Sequence, residues 1–315
     1  MEIPTWEDVL EAHKRIVPWV HRTPVYTCSA IDNITGSMIY FKCENFQKVG
    51  AFKFRGATNA VLSLDSSSAD KGVATHSSGN HAAALALAAR NRGIRAHIVM
   101  PETAPGIKKA AVSSYGAQIR FCEPTLEARE STLDDVVNST GATFIHPYDN
   151  FNVICGQATA AKELLEETGQ LDIVLVPVGG GGLLSGTAIT VKSISQDTLV
   201  IAAEPKNADD AYRSFKTGVL QPSIKPNTLA DGLLTSLAPL TFKIIRQYVD
   251  DIYCAREESI IQAMRIIWER MKIIIEPSSA VPLAVIIENR EFFSGRKIGI
   301  ILSGGNVDLE QLPFI

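Results

Sequence analysis

The sequence predicts a doubly wound α/β protein whose sheets are mostly parallel. Apolar runs of four to eight residues recur along the chain, and several are continuous rather than alternating, as strands covered on both faces require. Helical patterns separate them, so strand–helix–strand units with right-handed crossovers follow. Glycines close two of these strands, at 179–182 and 304–305, and ligands of open α/β sheets sit at such carboxyl ends.

In chain order, Thr5 caps a first helix that carries Trp6, Glu7 and Asp8 in its opening turn. Strands are expected at 39–44, 73–76, 96–100, 118–122, 143–146, 173–178, 199–203 and 298–303. Helices are expected at 81–92, 125–138, 156–167 and 183–193, with a long amphipathic one over 258–274. Ser66, Ser67 and Ser68 read as a short polar turn.

The 315 residues carry 30 Lys+Arg against 34 Asp+Glu, a net charge of −4, and are 46% hydrophobic. This excludes disorder, collagen and coiled coil as global descriptions, and the length suggests two domains. No basic cluster points to nucleic acid or an anionic membrane, and no apolar stretch of ~20 residues spans a bilayer. The first ten residues lack the pattern of a signal peptide. Cys28, Cys43, Cys122, Cys155 and Cys254 are odd in number and scattered, which fits reduced thiols in a cytoplasmic protein.

Gly179, Gly180, Gly181 and Gly182 join a buried strand to a helix that opens with Leu183. Side-chain-free backbone at a helix N-terminus suits an anion such as phosphate. The plain alternative is a tight turn needed for packing. Gly180, Gly182 and Glu204 nearly complete a dinucleotide fingerprint, which keeps an NAD(P)-dependent dehydrogenase open as a rival; the third glycine is missing. Lys53 lies between Phe52 and Phe54; apolar surroundings lower the pKa of a lysine and let it form an imine with an aldehyde. An exposed lysine on an amphipathic helix is the ordinary reading of the same residue. Ser77, Ser78, Gly79, Asn80 and His81 follow a strand and open an alanine-rich helix, an arrangement that holds a carboxylate or simply caps the helix through Asn80. Ser303 ends a buried strand where it meets a ligand. Zinc-hydrolase and serine-esterase motifs are missing from the sequence.

Together, the segments around Lys53, Ser77–His81, Gly179–Gly182 and Ser303 resemble the pyridoxal-phosphate (PLP) enzymes of the serine/threonine dehydratase family. Glu204–Asp210, Ala230-Asp231-Gly232, Trp268–Lys272, Ile275-Glu276-Pro277 and Leu302–Asp308 are similar to its serine racemase branch, and the likeness runs from about His21 to Asp308. It implies a tryptophan-synthase-β-like PLP fold with residues 1–69 and 148–315 in a large discontinuous domain and 70–147 in a small one. It implies that Lys53 holds PLP as an imine and that Gly179–Gly182 and Leu183 bind its phosphate. Phe52 packs by the ring, Asn80 bonds the ring hydroxyl and Ser303 faces the pyridine nitrogen. A neutral hydroxyl there, in place of a carboxylate, suits racemisation and β-elimination better than transamination.

On the same likeness, Lys53 and Ser78 exchange a proton on opposite faces of the substrate Cα. Ser77, Gly79 and His81 hold its carboxylate, and Arg129 lies near the entrance. Glu204, the Ala208 carbonyl and Asp210 bind Mg²⁺ or Ca²⁺. Lys48, Tyr115, Lys272 and Asn306 match a nucleotide effector site for ATP at a homodimer interface, although Ala83 and Cys28 depart from that pattern. Ala51 removes a hydroxyl common before Phe-Lys, and Tyr148 stands where some racemases have asparagine. The implied activity is racemisation of serine with loss of water from L-serine to give pyruvate and ammonia. L-threonine/L-serine ammonia-lyase, aspartate racemase and hydroxyaspartate dehydratase share the scaffold, and a PLP-binding protein without turnover is a further alternative.

Overall fold

The computed structural model describes residues 2–314. Helix α1 (Trp6–Ile16) starts as expected: Thr5 Oγ1 accepts from the Asp8 N–H, and the Asp8 carboxylate accepts from the Thr5 N–H at 2.8 Å. After it come β1 (Val25–Tyr26), α2 (Ser29–Thr35), β2 (Met38–Cys43), α3 (Lys53–Leu62) and α4 (Ser66–Lys71). The next stretch alternates strictly: β3 (Val73–His76), α5 (Asn80–Arg92), β4 (Ala96–Pro101), α6 (Gly106–Ser114), β5 (Gln118–Cys122), α7 (Leu126–Thr140) and β6 (Thr143–Phe144). Then follow α8 (Phe151–Thr168), β7 (Ile173–Pro177), α9 (Gly182–Ile194), β8 (Leu199–Pro205), α10 (Asp210–Thr217), α11 (Pro239–Tyr248) and β9 (Asp251–Ala255). Helices α12 (Glu257–Met271), α13 (Pro277–Glu288) and α14 (Arg290–Phe293) precede the last strand, β10 (Lys297–Leu302).

Two sheets result. The larger has the order β1-β2-β10-β7-β8-β9 and is parallel except for the β1–β2 pair. The smaller, β5-β4-β3-β6, is parallel throughout. Strands β7 and β10 lie inside the larger sheet, and both of their faces are covered by buried aliphatic clusters. That is why their sequences read as unbroken apolar runs. Helices α3 and α5 pack against each other, and Ala57, Ala60, Ala84 and Ala88 belong to the buried cluster they share.

Beneath α3 lies a buried charge quartet. The Arg55 guanidinium donates to both oxygens of Glu44 (2.7 and 2.8 Å) and both of Glu163 (2.8 and 2.7 Å). Lys42 Nζ donates to Glu163 at 2.7 Å and to the Thr23 carbonyl at 2.6 Å. Two cations face two carboxylates with nearly every donor occupied, the condition under which buried ions are tolerated. The quartet pins α3, and with it Lys53, to β2 and α8.

Four expectations are corrected. Ser66, Ser67 and Ser68 are not a turn but the first turn of α4, because Asp65 caps it by accepting from the Ser68 N–H at 2.7 Å. Asn80 is not a cap; Gly79 occupies that position and Asn80 is the first helical residue. The helix expected to reach 274 stops at Met271, where Lys272 adopts φ 61°. The strand expected over 143–146 ends at Phe144, as the chain turns toward Pro147. β1 and β9 were not expected, being two residues long and led by Asp251 respectively.

Candidate active site

The carboxyl ends of β2, β7 and β10 and the N-termini of α3, α5, α9 and α13 converge on one cleft between the sheets. Lys53 opens α3. Its Nζ donates to the Pro147 carbonyl at 2.9 Å and lies 5.2 Å from the Phe52 ring and 5.9 Å from that of Tyr148. Burial brings its pKa down to about 8, opposed by the negative charge of Glu276. About a tenth of the amine is therefore unprotonated and nucleophilic at pH 7, against far less for an ordinary lysine.

The glycine turn forms the floor. Gly181 has φ 86°, a backbone region that disfavours any side chain, and a Cβ there would meet Leu237, Ile245 and Thr241 within 3.0 Å. At Gly180 a Cβ would fall 2.3 Å from the Tyr148 ring, so the close-packing requirement is real. The anion reading has its own support: among the described residues no protein acceptor meets the N–H groups of Gly179, Gly180, Gly181 or Gly182. Unpaired donors in a buried turn at a helix N-terminus are rare unless a ligand uses them.

Opposite the floor, Ser77 Oγ accepts from the Gly79 N–H at 3.3 Å, and Ser78 is half-buried. A Cβ on Gly79 would meet nothing within 4 Å, so the cleft is open there. The His81 imidazole is buried, its Nε2 lying 3.2 Å from the Ile145 carbonyl, and burial drops its pKa to about 3. The ring is therefore neutral, with its Nδ1 buried and without a hydrogen-bond partner, and Lys53 adds to the lowering of its pKa. Ser303 closes β10; its carbonyl accepts from the Phe52 N–H at 2.9 Å and its hydroxyl lies 3.0 Å from that of Ser279.

Sequence reasoning missed the part played by Glu276. Its carboxylate accepts from Asn80 Nδ2 at 3.1 Å and from the Asn306 N–H at 3.2 Å, tying α5 to the large sheet. Burial pushes its pKa up to about 7. Asn80 also accepts from Asn306 Nδ2 at 2.9 Å. The signal was thin: a glutamate before Pro277 reads as an ordinary helix start. Tyr148, noted in the sequence only as a departure from asparagine, lies with its ring against Gly180 and its backbone and Cβ against Gly182.

The remaining residues lie outside this cluster. Arg129 is half-buried on α7, its Nε donating to the Thr125 carbonyl at 3.3 Å. Glu204 and Asp210 are buried together beyond Gly181. Glu204 accepts from the Ala211 and Tyr212 N–H groups at 2.9 and 2.8 Å, and Asp210 Oδ2 from the Leu237 N–H at 3.3 Å. Burial is the main cause that raises both pKa values, Asp210 to about 6 and Glu204 well above the usual range, where the Asp210 charge adds to the effect. Asp210 Oδ1 is buried with no hydrogen-bond partner. Ala208 is buried in the adjoining turn, and no third acidic, His or Cys ligand joins them among the described residues. Asn306, itself bonded to Asn80 and Glu276, also lines with Lys272, Gly50 and Gly305 an adjoining cleft of about 410 Å³. Lys48 sits over the Phe54 ring and Tyr115 against Arg90, outside the lining of that cleft.

The sequence profile of the pyridoxal-phosphate dependent enzymes matches residues 16–304. The chain belongs to this family. Similar to it are the β-hydroxyaspartate dehydratase of Paracoccus denitrificans, 52% identical over all of both chains, and the serine racemase of Dictyostelium discoideum, 51% identical over all of this chain and 98% of the other. The crystal structure of the Dictyostelium racemase superposes with a TM-score of 0.93 over 97% of this chain and 99% of that one. Membership makes the chain a PLP-dependent enzyme of the racemase and ammonia-lyase group. The residues present fit that cofactor: a desolvated lysine for its aldehyde, free glycine N–H groups for its phosphate and a hydroxyl in place of an acid at the end of β10. Among the described residues no helix is long and apolar enough to cross a membrane.

Proposed function

We propose that this PLP enzyme racemises serine and eliminates water from L-serine to give pyruvate and ammonia. The observation that carries the reading is the neutral Ser303–Ser279 hydroxyl pair beside a lysine whose amine is partly unprotonated. When bound, PLP supplies an electron sink for the bond that breaks at the substrate Cα, and a neutral neighbour at its nitrogen keeps that sink moderate. Lys53 takes and returns the Cα proton on one face. Ser78 serves the other face, while Ser77 and the Gly79 and His81 N–H groups hold the carboxylate, with Arg129 near the mouth. Gly179–Gly182 and Leu183 hold the phosphate, Phe52 packs by the ring and Asn80 is held toward the ring hydroxyl by Glu276 and Asn306.

Residues 70–147 act as a small domain that closes on the large domain of 1–69 and 148–315. The Lys108–Asp231 ion pair at 2.8 Å supports this reading, since it bridges the two across the cleft. Mg²⁺ or Ca²⁺ is held by Glu204, Asp210 and the Ala208 carbonyl with water, supported by the unpartnered Asp210 oxygen. The protein works as a cytoplasmic homodimer, its five cysteines all unpaired. ATP at the Lys272–Asn306 cleft, with Lys48 and Tyr115 nearby in the assembled dimer, acts as effector.

The test is Ser78→Ala: interconversion of L- and D-serine is lost while some pyruvate formation from L-serine survives. Equal loss of both rates sinks the division of labour between Lys53 and Ser78. A second reading, dehydration of 3-hydroxyaspartate, is favoured by the 52% identity to the Paracoccus enzyme over both whole chains. Measuring oxo-acid and D-amino-acid formation from L-serine, L-threonine, L-aspartate and 3-hydroxyaspartate separates the two.

A further inference from the structure

We propose that Ser279 is a positioning residue that lets the Ser303 hydroxyl accept as well as donate a hydrogen bond at the cofactor's ring nitrogen. The inference rests on the reading above that Ser303 faces that nitrogen, and it follows from counting protons. Ser279 is fully buried at the start of α13. Its Oγ accepts from the Gly304 N–H at 2.8 Å, lies 2.7 Å from the Gly304 carbonyl oxygen and 3.0 Å from Ser303 Oγ. Each serine has one hydroxyl proton and two lone pairs, whereas the Gly304 N–H only donates.

Two arrangements satisfy these contacts. In the first, Ser279 donates to the Gly304 carbonyl and Ser303 donates to Ser279. Ser303 then turns only lone pairs toward the cleft, which suits a protonated ring nitrogen. In the second, Ser279 donates to Ser303, and Ser303 donates onward to an unprotonated nitrogen. The Gly304 carbonyl is not orphaned by the exchange, because the Glu276 N–H also donates to it at 3.0 Å. Ser279 thus lets the site accept the nitrogen in either state. Without it, a protonated nitrogen leaves the buried Ser303 hydrogen with no acceptor, whereas an unprotonated one costs Ser303 only a hydrogen bond at one lone pair, so the protonated state loses more.

The experiment reconstitutes the protein with ¹⁵N-labelled PLP and follows the ring-nitrogen chemical shift against pH. Ser279→Ala moves the midpoint of ring protonation down by about one pH unit, the size of one net hydrogen bond. Ser279→Cys, whose thiol is a weak donor and acceptor, moves it in the same direction with less disturbance of packing and serves if the alanine variant does not fold. Ser279→Thr, which keeps the hydroxyl, restores it. Unchanged midpoints in the alanine and cysteine variants, with a displaced midpoint in Ser303→Ala, overturn the role of Ser279 alone. An unchanged midpoint in Ser303→Ala overturns both this proposal and the placement of Ser303 at the nitrogen.

Discussion

Glu163→Gln keeps the shape of a buried side chain and removes one of the two negative charges that face Arg55 and Lys42. In the native quartet Glu163 Oε1 receives one Arg55 hydrogen bond, and Oε2 receives a second together with that of Lys42. An amide must point its NH₂ at one of these donors, so at least one contact becomes donor against donor. Two cations are then left with the single carboxylate of Glu44. Breaking a buried pair from one side costs about 3–5 kcal/mol, a large share of the roughly 5–15 kcal/mol that holds a domain folded. Urea unfolding followed by tryptophan fluorescence and circular dichroism measures the loss. Glu11→Gln, which breaks the exposed Lys14–Glu11 pair, serves as control and leaves the midpoint within error of the parent. A loss below about 1 kcal/mol for Glu163→Gln would place the quartet with surface pairs and refute the claim that it anchors α3. Because Lys53 begins that helix, the variant also captures PLP more slowly.

In the folded apoprotein Lys53 has its pKa lowered to about 8, so the rate of PLP capture rises with pH to a midpoint near 8, measured by stopped-flow absorbance. The sign for stability is the same: between that value and the normal lysine range the unfolded chain binds more protons, so this group's contribution improves as pH rises. Gly181→Ala places a methyl group against three side chains in a left-handed conformation, and about 2–5 kcal/mol of destabilisation together with weaker PLP binding is expected by thermal melting and cofactor titration. Mg²⁺ or Ca²⁺ raises the melting temperature at pH 7.5, and Glu204→Gln abolishes that rise; an unchanged response would remove the cation from this pair.

The strands that form the middle of each sheet were legible because both faces are covered, which leaves a run of apolar residues as their signature. The turn at 179–182 and Lys53 were legible for a related reason, since glycine runs and a lysine between phenylalanines are uncommon local patterns. What escaped was set by distant partners. β1 is held by pairing Val25 with Lys42, and nothing in its two residues announces a strand. Glu276 becomes part of the site only because Asn80 and Asn306 reach it from 196 and 30 positions away. The partner of the His81 side chain is likewise distant in sequence, the Ile145 carbonyl 64 positions on.

The neighbour relation of β2 and β10 has a consequence for how the chain acquires its shape. Met38 lies opposite Lys297, so this pairing inside the larger sheet joins segments about 260 positions apart. During synthesis β2 waits without its partner until residues 297–302 have left the ribosome, while every strand of the smaller sheet, 73–144, is already out. The smaller sheet is therefore expected to form cotranslationally and the larger one to close late, through contacts of high sequence separation that are intrinsically slow. A ribosome-bound chain stalled before residue 297 leaves the edges of β2 and β7 that β10 covers unpaired, and association with other chains is expected there.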